Sequence, residues 1–137
     1  MTNDFDQVDL PREEDMYWGG VTNETAFEKA KEAGLEVFVP GPNDITVDID
    51  SPELPEPFNE VLKILKQHFD IEVKKTTKSK SGNLHVYLYS PQFFTHSEKI
   101  ALQAILGSDP KREALSLVRS VKGGLGHPSL LFEKKAA

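Results

Sequence analysis

The chain has 137 residues, 38% of them hydrophobic, with 22 acidic against 16 basic side chains, which suits one domain with a modest core that folds without staples. The absence of cysteine excludes disulfides and thiolate metal sites, and the net charge of -6 argues against broad adhesion to DNA or membranes while leaving room for a local basic groove. No apolar run approaches the roughly 18 residues of a membrane span and the acidic start is unlike a signal peptide, so a cytoplasmic protein with no membrane partner is expected.

Residues 1–14 are polar and acidic and read as a flexible tail, leaving 15–137 as a single α+β domain. Tyr17-Trp18-Gly19-Gly20 reads as an aromatic anchor followed by a turn. Thr22 to Ala33 reads as a helix with Ala26, Phe27 and Ala30 on its apolar side and Gly34 at its end. Leu35–Val39 and Ile45–Ser51 read as strands joined by the turn Pro40-Gly41-Pro42-Asn43, and a hairpin between them is expected.

Glu56–Phe69 carries Phe58, Val61, Leu62, Ile64, Leu65 and Phe69 at helical spacing. Ile71–Thr77 alternates as a strand, and Lys74 to Gly82 reads as a basic, flexible connection into a further strand, Leu84–Tyr89. Ser97–Leu106 and Lys111–Val121 read as helices separated by Gly107-Ser108-Asp109-Pro110. After the glycine loop Lys122–Gly126, Ser129–Glu133 reads as the last strand. From residue 45 to about 133 the order is that of an RRM-like, ferredoxin-like βαββαβ module, preceded by an added helix and strand. In that topology the first and third strands are central neighbours and the helices cover one face.

The strand Ile45–Ser51 is the informative one. Ile45, Val47 and Ile49 point one way while Thr46, Asp48 and Asp50 point the other, which sets two carboxylates about 7 Å apart on one face. Like charges there repel, which is a reason to look for a cation. Placing Leu84, Val86 and Leu88 against the helices turns His85, Tyr87 and Tyr89 to the face that carries the acids. Two alternating carboxylates suit a hard cation such as Mg²⁺, and Ser81, the amides of Ser81-Gly82-Asn83, His85, Lys78 and Lys80 suit phosphate oxygens. The set fits phosphoryl or nucleotidyl transfer.

Asp48-Ile49-Asp50, then Ser81-Gly82-Asn83-Leu84-His85, then Asp109 with Arg119 downstream, resembles the three-motif signature of archaeo-eukaryotic primases and primase-polymerases over residues 45 to 133. The second motif here has Asn83-Leu84 where that family usually has a further glycine before the histidine. The resemblance implies that Asp48, Asp50 and Asp109 hold Mg²⁺ or Mn²⁺, that Ser81 and His85 contact the triphosphate, and that Arg119 lies near the nucleotide. It also implies template-directed nucleotide addition in DNA replication by a small phage- or plasmid-type enzyme. Its partners would be a nucleoside triphosphate, single-stranded DNA or a primer-template, and a helicase or other replication protein. Two other readings stay open: a non-catalytic RRM-like binder of nucleotide or single strands using Tyr87 and Tyr89 as stacking platforms, and an interaction protein with no ligand. The ordinary alternatives are that Asp109 caps a helix with Pro110 in its first turn, and that Arg112 and Arg119 are exposed helix charges.

Overall fold

The computed structural model describes residues 23–122 and 128–134. The acidic tail, the Tyr17-Trp18 anchor, Thr22 and all of the glycine loop after Lys122 lie outside the described residues. The fold is α+β: α1 (Asn23–Ala33), β1 (Leu35–Phe38), β2 (Asp44–Ile49), α2 (Pro57–Lys66), β3 (Glu72–Lys78), β4 (Leu84–Tyr89), α3 (His96–Ile105), α4 (Pro110–Lys122) and β5 (Leu131–Lys134).

The strands form two antiparallel sheets, a three-stranded one ordered β2-β4-β3 and a two-stranded one pairing β1 with β5. The alternation of β2 and β4 settles their faces. Ile45 sits opposite Leu88, Val47 opposite Val86 and Ile49 opposite Leu84 on the apolar side, and Thr46 opposite Tyr87 and Asp48 opposite His85 on the other. The apolar side packs on α2 and α3 through Phe58, Leu62, Leu65, Leu102 and Leu106, with Ile71 and Phe94 closing the core. Burying these side chains is the main term holding the sheet to its helices, on the order of 1.5–3 kcal/mol for each large one.

Three expectations fail here, for connected reasons. β1 pairs with β5 rather than forming a hairpin with β2, and of the two strands expected at the centre of one sheet β2 lies at an edge. One edge of β2 is taken by β4, and the other is satisfied by groups from the helical half of the chain. Thr46 N–H donates to Gln103 Oε1, Asp48 N–H to Ser108 Oγ, Arg112 to the Thr46 carbonyl, and Asp109 N–H to the Asp48 carbonyl. An edge whose donors and acceptors are already paired offers no ladder to another strand. β4 therefore lies at the centre and β2 at an edge. Finally, the polar face is not open, because the β1–β5 sheet covers part of it. Phe38 meets Tyr87 edge-on with ring centroids 4.9 Å apart, and Thr77 Oγ1 donates to Glu133 Oε2 at 2.7 Å.

Smaller differences follow local chemistry. The basic stretch from Lys74 is strand up to Lys78, so the connection shrinks to Ser79–Asn83, where Gly82 takes a φ of 90° and its N–H donates to the Ser79 carbonyl. Phe27 is half-exposed although Ala30 beside it on α1 is buried. α3 opens with a capping box between Thr95 and Glu98 and closes on Gly107 at φ 98°, whose N–H bonds Ala104 while Ser108 N–H bonds Gln103. This turn brings Ser108 Oγ against β2. A Cβ on Gly107 would meet Pro55 at 3.0 Å in a backbone region that disfavours side chains, so Gly107→Ala should lower stability by about 1–3 kcal/mol, read as a fall in the urea midpoint. An unchanged midpoint would show that the turn is not strained.

Candidate functional site

One cleft of about 520 Å³ opens on the polar side of β2, and its walls include Asp48, Asp50, Lys80, Ser81, His85, Asp109, Lys111, Arg112 and Arg119. β2 and the bend after it supply Asp48 and Asp50, the Ser79–Asn83 turn supplies Lys80 and Ser81, β4 supplies His85, Asp109 stands just before α4, and α4 supplies Lys111 and Arg112 near its start and Arg119 in its last turn. Leu130, Leu131 and Phe132 complete it from the β5 side. Of the residues expected to form a site, Lys78 alone is missing from these walls: it lies exposed on the edge strand β3. Lys80 reaches the cleft, with Nζ donating to the Ala33 carbonyl at 3.3 Å.

His85 is buried, not displayed on an open face, and is flanked by two carboxylates. Nδ1 is hydrogen-bonded to Glu133 Oε1, and Nε2 lies 3.4 Å from Asp48 Oδ1. Burial pulls the imidazole pKa down, but the hydrogen bonds and charges of Asp48 and Glu133 outweigh it, and the net shift is upward. Asp48 remains partly accessible, with 29% of its side chain exposed. Asp50 lies just beyond the end of β2 in an exposed bend, where its Oδ1 accepts from Asn83 Nδ2 at 2.9 Å. Asp109 stands immediately before Pro110, the first residue of α4, which is the helix-start position expected of a Ser-Asp-Pro sequence. It is also tied to β2, since its N–H donates to the Asp48 carbonyl at 2.7 Å.

The two arginines are not exposed helix charges. Arg119 is 7% exposed, and burial, reinforced by the charge of Arg112, pulls its pKa down to about 10. Arg112 has only 10% of its side chain exposed and bonds the Thr46 carbonyl, Thr46 Oγ1, the Ser129 and Leu130 carbonyls and Glu113 Oε2. Among the described residues its Nε is the buried side-chain donor with no partner. The cleft is thus lined by both signs of charge, Arg112, Arg119, Lys80 and Lys111 together with Asp48, Asp50 and Asp109. That mixture suits a ligand carrying several negative charges together with a cation.

Among the described residues, no group of three His, Asp or Glu side chains is gathered tightly enough to hold a metal ion on its own. Asp48, Asp50 and Asp109 line the same cleft but are not a preassembled cage. The donor chemistry still fits Mg²⁺ or Mn²⁺, because Mg²⁺ is usually held by one or two carboxylates with waters and substrate phosphates completing its shell.

Two residues outside the expected set matter to the site. Glu133 reaches His85 from the second sheet, behind the cleft wall, and nothing local in Ser129–Glu133 marks it. Arg112 could have been found, since Arg112, Leu115, Ser116 and Arg119 share one helical face at i, i+3, i+4 and i+7, and that face is turned inward. Comparison with known proteins finds no matching family model, no matching curated protein and no matching solved structure.

Proposed function

We propose that the cleft binds a nucleoside triphosphate with a divalent cation, and that the protein is a metal-dependent nucleotidyltransferase of the primase-polymerase type that adds nucleotides on a DNA template. The observation that supports this reading is the convergence of Asp48, Asp50, Ser81, His85, Asp109 and Arg119 on one cleft from separate segments of the chain. In sequence, strand alternation joined Asp48, Asp50 and His85, and motif order alone joined Asp109 and Arg119 to them.

Asp48 and Asp50, with Asp109 at the rim, would hold Mg²⁺ or Mn²⁺, which when bound neutralises phosphate charge and makes a nearby hydroxyl a better nucleophile. Ser81 Oγ and the amides of its turn donate to phosphate oxygens, and Lys80, Lys111 and Arg119 offset the remaining negative charge. His85, in the cleft wall with Nε2 beside Asp48, would donate to a phosphate oxygen once nucleotide is bound. Single-stranded DNA or a primer-template, and a helicase or other replication protein, are the macromolecular partners this reading carries. Among the described residues no helix is long and apolar enough to cross a membrane.

The alternative of a strand-binding protein with an open aromatic sheet loses its main platform, because Tyr87 is 6% exposed beneath Phe38. Tyr89 keeps an exposed ring, with Lys74 Nζ 5.3 Å from its centroid. A melting experiment separates the readings. At about a hundredfold excess over Kd, a nucleoside triphosphate with Mn²⁺ should raise the melting temperature by about 5–10 °C, and nucleotide without the metal should do much less. No rise with both present, or an equal rise from single-stranded DNA without metal, would overturn the proposal.

A further inference from the structure

We propose that Glu133 is the positioning residue for His85, setting the imidazole so that Nδ1 is held inside the protein and Nε2 is presented to Asp48 and the cleft. The inference deepens the proposed function, since the use of Nε2 toward a triphosphate rests on that reading, but the positioning itself rests on geometry alone.

Glu133 belongs to β5, in the two-stranded sheet, while His85 lies on the central strand of the other sheet. Its carboxylate is held at both oxygens. Oε1 bonds His85 Nδ1, and Oε2 accepts from Thr77 Oγ1 at 2.7 Å. Only 16% of the Glu133 side chain and 5% of that of His85 are exposed, so neither bond is easily exchanged for water. Tyr87 lies beside the same carboxylate, and burial together with the Glu133 charge pushes its hydroxyl pKa up.

A buried carboxylate is expensive to keep unless its partners need it. A neutral contact between the two sheets could tie them together at lower desolvation cost. What a carboxylate clamped at its far oxygen adds is direction. An imidazole ring can present either nitrogen by rotating about its last side-chain bond, and an acceptor fixed on one side selects one orientation. Here the selected orientation leaves Nε2 3.4 Å from Asp48 Oδ1, at the wall of the cleft. β5 thereby does more than cover the sheet: it supplies the group that aims the histidine.

The test uses the full chain labelled with ¹⁵N at histidine. The parent should show a slowly exchanging His85 Nδ1–H resonance at low field. Glu133→Ala should lose it, Glu133→Gln should keep it because its amide oxygen still accepts, and Thr77→Val should weaken it by releasing the far oxygen. In Mn²⁺-nucleotide titrations, Glu133→Ala and His85→Ala should each weaken triphosphate binding about 10- to 100-fold, with Glu133→Gln close to the parent. A parent spectrum without the protected Nδ1–H, or one that Glu133→Ala and Thr77→Val both leave unchanged, overturns the inference. Should Glu133→Ala fail to fold, Glu133→Gln and Thr77→Val carry the same test. If the ring signal follows the variants while the parent binds no triphosphate, the positioning role stands and the nucleotide reading falls.

Discussion

Asp48→Asn combined with Asp50→Asn should abolish divalent-dependent nucleotide binding, a loss of roughly 100-fold or more, while the chain stays folded. The two carboxylates occupy the same cleft as Lys80, Ser81, His85 and Arg119, so removing their charge removes the oxygen donors that a hard cation requires while leaving the shape of the cleft intact. The stability change combines opposite terms. A like-charge repulsion disappears, but His85 loses the ionic partner at Nε2 and Asn83 loses the charged acceptor of its side-chain amide. Each lost interaction is worth about 1–3 kcal/mol at most, and the asparagine carbonyl replaces part of it. Calorimetric titration with Mn²⁺ and a nucleoside triphosphate is the check. Parent-like binding by the double variant would mean that the acids are ordinary polar residues of the sheet.

Arg112→Ala should cost about 3–5 kcal/mol of stability, the largest structural effect expected from a single charged side chain in this protein. One guanidinium links β2, through the Thr46 carbonyl and hydroxyl, to the Ser129 and Leu130 carbonyls that precede β5, and it neutralises Glu113. Glu113 in turn accepts from Ser108 Oγ and Gln103 Nε2, and the same Gln103 and Ser108 satisfy the β2 edge. Truncation leaves a buried carboxylate and several carbonyls without their charged donor, and each uncompensated group adds its own desolvation cost. Arg112→Lys keeps the charge but not the planar fork, and should recover less than half of the loss. Urea denaturation of the three proteins measures this. A midpoint for Arg112→Ala within about 1 kcal/mol of the parent would show that the network is only a set of surface contacts.

These two expectations mark how far the sequence could be read. The pleat of β2 and β4 was legible because side chains alternate with a period of two. Ile45-Thr46-Val47-Asp48 and Leu84-His85-Val86-Tyr87 therefore announce which residues share a face before any partner is known. That Asp48 and His85 share a face follows once the strands are taken as neighbours, and the structure adds the register that sets them directly opposite. α2 was legible from its apolar stripe and α4 from its start at Pro110, while α3 was expected from Ser97 and its Thr95–Glu98 capping box went unread. The partnership of β1 was not, since a strand four residues long says nothing about which edge it will find.

The partners of the residues that surround the site were hidden for the same reason, even where, as for Arg112, an inward helical face was legible. Glu133 lies 48 positions beyond His85, and Arg112 lies 66 beyond Thr46. Neither spacing has a local signature, because the contact depends on where two sheets and a helix come to rest.

The sequence alone dictated the alternation, the helical stripes and the turns, and with them an α+β chain whose acidic pair shares a face with an imidazole. Folding in three dimensions determined that this face would be roofed by a second sheet, that the outer edge of β2 would be closed by side chains instead of a strand, and that His85 would be buried between two carboxylates. The reason is physical: periodicity is written in neighbours a few residues apart, whereas the burial of a charge and the choice of a strand's partner are set by whatever distant groups meet there and satisfy the same donors and acceptors.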